Sequence, residues 1–111
     1  MAIQEFAPGE YGTILLKILF GFLKAEQDSM SALPLDQRPE RAQCDWSIDK
    51  VIVLAQHLDG DPGTGQVKGI VILRYRAPWK VVTEVRRLQI EAKLEADHGC
   101  LLYSDFRVKA L

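Results

Sequence analysis

The stretch that decides the fold is "ILRYRAPWKVVTEVRRLQI", residues 72 to 90. It contains five basic side chains, a tryptophan directly after a proline, and valine and leucine at recurring intervals. Two interpretations are open. A strand that continues into a helix would make an α+β domain. Two helices joined by a short turn would instead make a unit that can place one helix in a DNA groove.

The size and composition of the chain predict one folded domain over residues 1 to 111. A chain of 111 residues can bury one core without disulfides or metals. Hydrophobic residues make up 48% and charged residues 26%, which is typical of a globular protein rather than a disordered one. The apolar run 14–23 is too short to span a bilayer and contains Lys17. We therefore expect a cytoplasmic protein without a membrane partner.

The sequence predicts neither a metal site nor a cofactor site. Cys44 and Cys100 form no C-x-x-C pair, and with His57 and His98 they lack the spacing of a zinc site. In the glycine-rich stretch 59–69, Gln66 and Val67 follow Gly65 where a phosphate-binding loop requires a lysine and a hydroxyl residue. No nucleophile with a neighbouring base stands out, so we expect the protein not to be an enzyme.

The charge of the chain is unevenly distributed, although the net charge is only −1. Residues 1–65 contain five basic and ten acidic side chains, for −5. Residues 66–111 contain nine basic and five acidic side chains, for +4. This asymmetry is what a chain shows when one half contacts phosphate and the other does not.

The apolar pattern of the first half predicts two helices and a linker. Residues 10–24 follow a 3.6-residue period and are hydrophobic on most sides, which indicates a helix in the core or at a subunit interface. The polar segment 25–43, with its two prolines, is predicted to be a flexible linker. Asp45 or Ser47 can cap a second helix over about 46–58.

The second half is predicted to be helical too, with an alternative. The spacing of Val67, Ile70, Val71 and Tyr75 suits a helix over 66–76, although short apolar runs suit a buried strand equally well. Further helices are predicted over 79–88 and from 91 to about 103. The expected fold is therefore mainly α, a small helical domain in which residues 66–103 form a helix-turn-helix-like unit. The alternative is an α+β fold with strands near 69–75 and 101–109.

Four motifs in order, "CDWSIDKVIVLAQHL", "VILRYRAPWKVV", "EVRRLQIEAKLEA" and "GCLLYSD", resemble the Q-type phage antitermination proteins. Those proteins resemble region 4 of sigma factors, and the similarity covers about residues 44–105. Leu73, Arg74 and Tyr75 match a triad at the end of one helix. Trp79 matches the aromatic residue that opens the next, and the stretch 88–90 matches the turn before the recognition helix.

The resemblance implies a phage-type transcription regulator of the antiterminator class that binds duplex DNA, RNA polymerase, or both. The residues predicted to contact DNA are Arg74, Arg76, Lys80, Arg86, Arg87 and Lys93. The alternative is a non-enzymatic interaction module or small inhibitor that forms a homodimer or docks through helix 10–24. In that case the same basic residues form a solvated surface.

Overall fold

The computed structural model describes residues 10–79 and 84–111, and it contains one long helix followed by four strands. The helix is α1 (Glu10–Ser31), and two short 3-10 helices follow it at Leu35–Gln37 and Glu40–Gln43. The strands are β1 (Asp45–Leu58), β2 (Gly63–Arg76), β3 (Glu84–Asp97) and β4 (Cys100–Ala110).

The four strands form one antiparallel sheet in the order β1-β2-β3-β4, so each strand pairs with its neighbour in sequence. Helix α1 packs across one face of this sheet, which we call the covered face; the other is the open face. The core lies between α1 and the covered face. Its fully buried large side chains are Leu15, Leu19, Val51, Val67, Val71, Leu73, Leu88, Ile90 and Leu94.

The two central strands show a period-two pattern of burial. β2 buries alternate residues from Val67 to Tyr75, and β3 buries alternate residues from Leu88 to Ala96. Successive side chains on a strand point to opposite faces, so these residues face α1 and their neighbours lie on the open face.

The prediction of a mainly α fold is wrong, and the predicted helix-turn-helix unit is not present. Residues 66–103 contain most of β2, all of β3 and the start of β4. The predicted turn at 88–90 lies within β3, where Leu88 and Ile90 are buried against α1. The structure has strands in both regions that the α+β alternative named.

The prediction of a helix over 46–58 is also wrong, because this segment forms strand β1. Two β-bulges explain the error. The pairing of β1 with β2 shifts between Ile48 and Lys50 and again between Val53 and Ala55, so an extra residue interrupts the strand twice. Each bulge puts a three-residue step into the strand: Ile48 and Val51 lie on the covered face, and Ile52 and Ala55 lie on the open face. Together with Leu58, these apolar residues of two different faces follow the spacing of a helix.

The helix predicted over 10–24 is confirmed, and it continues to Ser31. The predicted linker 25–43 therefore begins inside α1. Beyond the helix, Arg38 donates hydrogen bonds to the backbone carbonyls of Leu33, at 2.8 Å, and Ser31, at 2.9 Å. Within the described ranges, no helix is both long and apolar enough to cross a membrane.

Candidate functional site

The open face of the sheet gathers basic side chains from all four strands at one end. Their positions follow from the strand register. Arg74 and Arg76 occupy the alternate positions of β2 that face away from α1, and Lys50 and Arg87 both pair with Ile72 between them. Lys109 pairs with Gln89 in the neighbouring row. We call this set of five, Lys50, Arg74, Arg76, Arg87 and Lys109, the basic end.

Few carboxylates oppose the charge of the basic end. Asp49 lies 3.4 Å from the guanidinium of Arg74, and Asp45 pairs in register with Arg76. The side chains of Arg74 and Asp49 are 36% and 38% exposed, so solvent screens their attraction. Lys50, Arg87 and Lys109 form no ion pair with any other residue in 10–79 or 84–111. The basic end therefore carries a net positive charge.

The other end of the open face is electrically balanced. Lys68 pairs in register with Glu91, which in turn pairs with Arg107. Lys93 lies 3.4 Å from the carboxylate of Asp105. With Glu95, and apart from Asp97 at the end of β3, whose carboxylate contacts His98, this balanced end has three basic and three acidic side chains. Opposite charges on adjacent strands attract each other.

Apolar side chains lie between the charged ones. Ile52, Ile70 and Ile72 occupy neighbouring open-face positions on β1 and β2, and all three are half-buried. Val85, which pairs with Arg74, is 48% exposed. One solvated face is normal for an antiparallel sheet. Here the row of isoleucines lies next to Lys50 and Arg87, which form no ion pair within the described ranges.

The structure separates the six residues that were predicted to contact DNA. Arg74, Arg76 and Arg87 lie at the basic end, and Lys93 lies at the balanced end, beside Asp105. Lys80 lies outside the described residues. Sequence reasoning missed Lys50 and Lys109, because no pairing of strands was predicted that would bring β1 and β4 to the same surface.

Arg86 lies on the covered face and is held by other side chains. Its two terminal nitrogens donate to the two carboxylate oxygens of Glu26 on α1, at 2.7 and 2.9 Å. One of them also lies 3.4 Å from the hydroxyl of Tyr75, and the guanidinium lies 5.7 Å from the ring centre of Phe22. Arg86 is therefore not available to phosphate.

The ion pair between Glu26 and Arg86 shifts the pKa of both groups. The hydrogen bond from Arg86, with the nearby charges of Arg86 and Arg41, lowers the pKa of Glu26 although partial burial opposes this. The hydrogen bond to Glu26 raises the pKa of Arg86. Each shift means that the charged form is stabilised, so Glu26 and Arg86 stay ionised. Together with Arg41, they form a network that joins α1 to the sheet.

A groove of about 870 Å³ lies beside this network, between the second half of α1 and the start of β1. Phe20 and Trp46 line its wall as a tilted aromatic pair, with ring centres 5.9 Å apart. Its charged lining residues include Glu26 and Arg41, which pair with each other. The groove lacks the excess of one charge that distinguishes the basic end.

Across the described part of the chain, no three or more His, Cys, Asp or Glu side chains are close enough together to hold a metal ion. The comparisons with known protein families, curated proteins and solved structures give no match.

Proposed function

We propose that this protein binds nucleic acid, and that the basic end of the open sheet face contacts the phosphates. One observation supports the proposal above all. The two ends of the same face differ, since five cations meet two carboxylates at the basic end while three meet three at the balanced end. If the surface charges were scattered at random, there would be no reason for the excess of positive charge to fall at one end of one sheet face.

Lysine and arginine suit this role because each can replace a counterion at a phosphate. Five such contacts would make the logarithm of the binding constant fall with the logarithm of salt concentration with a slope of about −4.5. The net charge of −1 does not oppose such binding, because many acidic side chains lie away from the open face, as do Glu26 and Asp28 on α1. A local field steers a charged partner even when the whole protein is nearly neutral.

The resemblance to antitermination proteins implied a wider role in transcription, with RNA polymerase as a second partner. That role depended on a helix-turn-helix unit, which is not present. The basic end supports nucleic-acid binding without a recognition helix, so the proposal is limited to that activity.

The experiment is a titration of a labelled 20-base-pair duplex, followed by fluorescence anisotropy at several salt concentrations between 50 and 200 mM. We expect the double variant Lys50→Gln/Lys109→Gln to bind several-fold more weakly than the wild type. Its salt slope should be less steep by about 2, since two phosphate contacts are lost.

A matched control removes the same charge from the opposite side of the molecule. Lys17 and Lys24 are exposed on α1, so the variant Lys17→Gln/Lys24→Gln has the same net charge as the test variant. It should bind like the wild type. Equal losses in the two variants would show that only the total charge matters and would remove the basic end as the site.

A protein-interaction module is the second candidate, but not through helix 10–24. Ile14, Leu15, Ile18, Leu19 and Leu23 of that helix are buried against the chain's own sheet. The row of half-buried isoleucines favours the open face as the docking surface instead. Face-to-face homodimers through the basic end would bring like charges together, so a partner protein would have to be acidic.

A further inference from the structure

We infer that the nucleic acid bound by the basic end is double-stranded, and that the sheet contacts both of its phosphate rows across one groove. This inference rests on the proposed function. It concerns the shape of the partner, which the arrangement of the cations restricts.

The cations of the basic end are spread in two dimensions rather than along one line. Lys50 lies on edge strand β1, and Lys109 lies on the opposite edge strand, β4. Three inter-strand spacings separate them, about 14 Å across the sheet. A single strand has one row of phosphates and can follow only part of such a patch. The major groove, which two phosphate rows border, is about 12 Å wide, so the edge strands are separated by about one groove width.

The centre of the basic end is suited to bridging a groove. Ile72 lies between Lys50 and Arg87 in one row of the register, and Ile70 and Gln89 precede Lys109 in the next row. These side chains are short compared with lysine and arginine. Lys50 on one side of them, and Arg87 and Lys109 on the other, can therefore reach the two phosphate rows while the isoleucines remain above the groove.

Binding of a single strand would depend on different residues. Proteins that hold single strands stack unpaired bases on aromatic side chains. Two exposed aromatic residues lie outside the regular strand pairing: Trp79 follows the end of β2, and Phe106 belongs to the bulged part of β4. Substitution of these residues therefore separates the two modes of binding.

The test compares a 20-base-pair duplex with a 20-nucleotide single strand at the same salt concentration, using the full chain. We expect the duplex to bind at least about tenfold more tightly. Lys50→Gln and Lys109→Gln should each weaken duplex binding several-fold and each reduce the salt slope by about 1, while Trp79→Leu and Phe106→Leu leave it unchanged. Circular dichroism confirms that each variant is folded.

Three results would overturn the inference. The first is equal or tighter binding of the single strand. The second is a loss of duplex binding in Trp79→Leu that exceeds the loss in Lys50→Gln. Equally tight binding of poly-glutamate would show that charge alone is recognised. The first two results leave the proposed function in place if Lys50→Gln/Lys109→Gln still weakens binding more than its matched control. Absence of any nucleic-acid binding removes both proposals.

Discussion

The two faces of the sheet use the same strands for different purposes. Arg86 and Arg87 are adjacent in sequence, yet Arg86 is bound to Glu26 beneath the helix and Arg87 extends from the open face. Because successive side chains on a strand point to opposite faces, Arg86 lies in a partly buried contact with Glu26 and Arg87 is exposed to solvent. The comparison indicates that substitutions on the covered face should change stability, whereas those on the open face should change binding.

The largest expected effect comes from the matched substitutions Ile90→Ala and Ile72→Ala. Ile90 is fully buried under α1, and its truncation should leave a cavity that lowers the free energy of unfolding by about 3 to 4 kcal/mol. Ile72 is half-buried on the open face, and its truncation should cost about 1 kcal/mol. Urea denaturation monitored by circular dichroism measures both. Similar losses would mean that something also covers the open face.

The adjacent arginines provide the next test. Arg86→Gln leaves the carboxylate of Glu26 without its strongest partner, and we expect a loss of about 2 kcal/mol. That is less than for a fully buried pair, because the side chains of Arg86 and Glu26 are 14% and 18% exposed. Arg87→Gln should change stability by no more than about 0.5 kcal/mol. A larger loss for Arg87→Gln than for Arg86→Gln would contradict the assignment of faces.

A smaller effect is expected from Gly69→Ala in the middle of β2. The added methyl carbon would lie 2.5 Å from Cδ1 of Leu15 and 2.7 Å from the backbone oxygen of Ile52. The leucine can move but the neighbouring strand cannot move easily, so we expect a loss of about 1 to 2 kcal/mol in the same denaturation assay. An unchanged midpoint would contradict the close approach of both Leu15 and the backbone of Ile52 to Gly69.

The smallest effect is on the pH dependence of stability. The pKa of Glu26 is lower in the folded protein than its ordinary value of 4.5. Its contribution to stability is therefore present above pH 4.5 and is lost as the pH falls through the folded pKa. Glu26→Gln should be less stable than the wild type at neutral pH, and the difference should narrow on acidification. Parallel curves from pH 7 down to the lowest pH at which both proteins fold would exclude this linkage.

The sequence predicted local features better than the fold. The period of apolar residues identified α1, because a buried helix needs contacts on several sides and its pattern is long. The same method failed on β1, where two bulges break the alternation of a strand. It also failed on β3, whose segment "EAKLEAD" consists mostly of good helix formers. In β3 the burial of alternate residues beneath α1 outweighed that propensity.

The candidate site was predicted only in part. The basic character of residues 66–111 is visible in the sequence, and three of the six predicted contact residues, Arg74, Arg76 and Arg87, lie at the basic end. Arg86 could not be separated from Arg87 without knowing that both lie on a strand. Lys50 could not be added without knowing that β1 pairs with β2.

By itself, the sequence determined the long apolar helix at the start of the chain and the excess of basic residues near its end. Both are local properties, set by the spacing of apolar side chains and by composition. Only the tertiary structure decided that four strands follow the helix within the described residues, and that these strands gather cations on one face. The physical reason is that a short apolar run can be buried as helix or strand. The choice between them depends on hydrogen-bonding partners and on the surface of α1, which are distant in sequence.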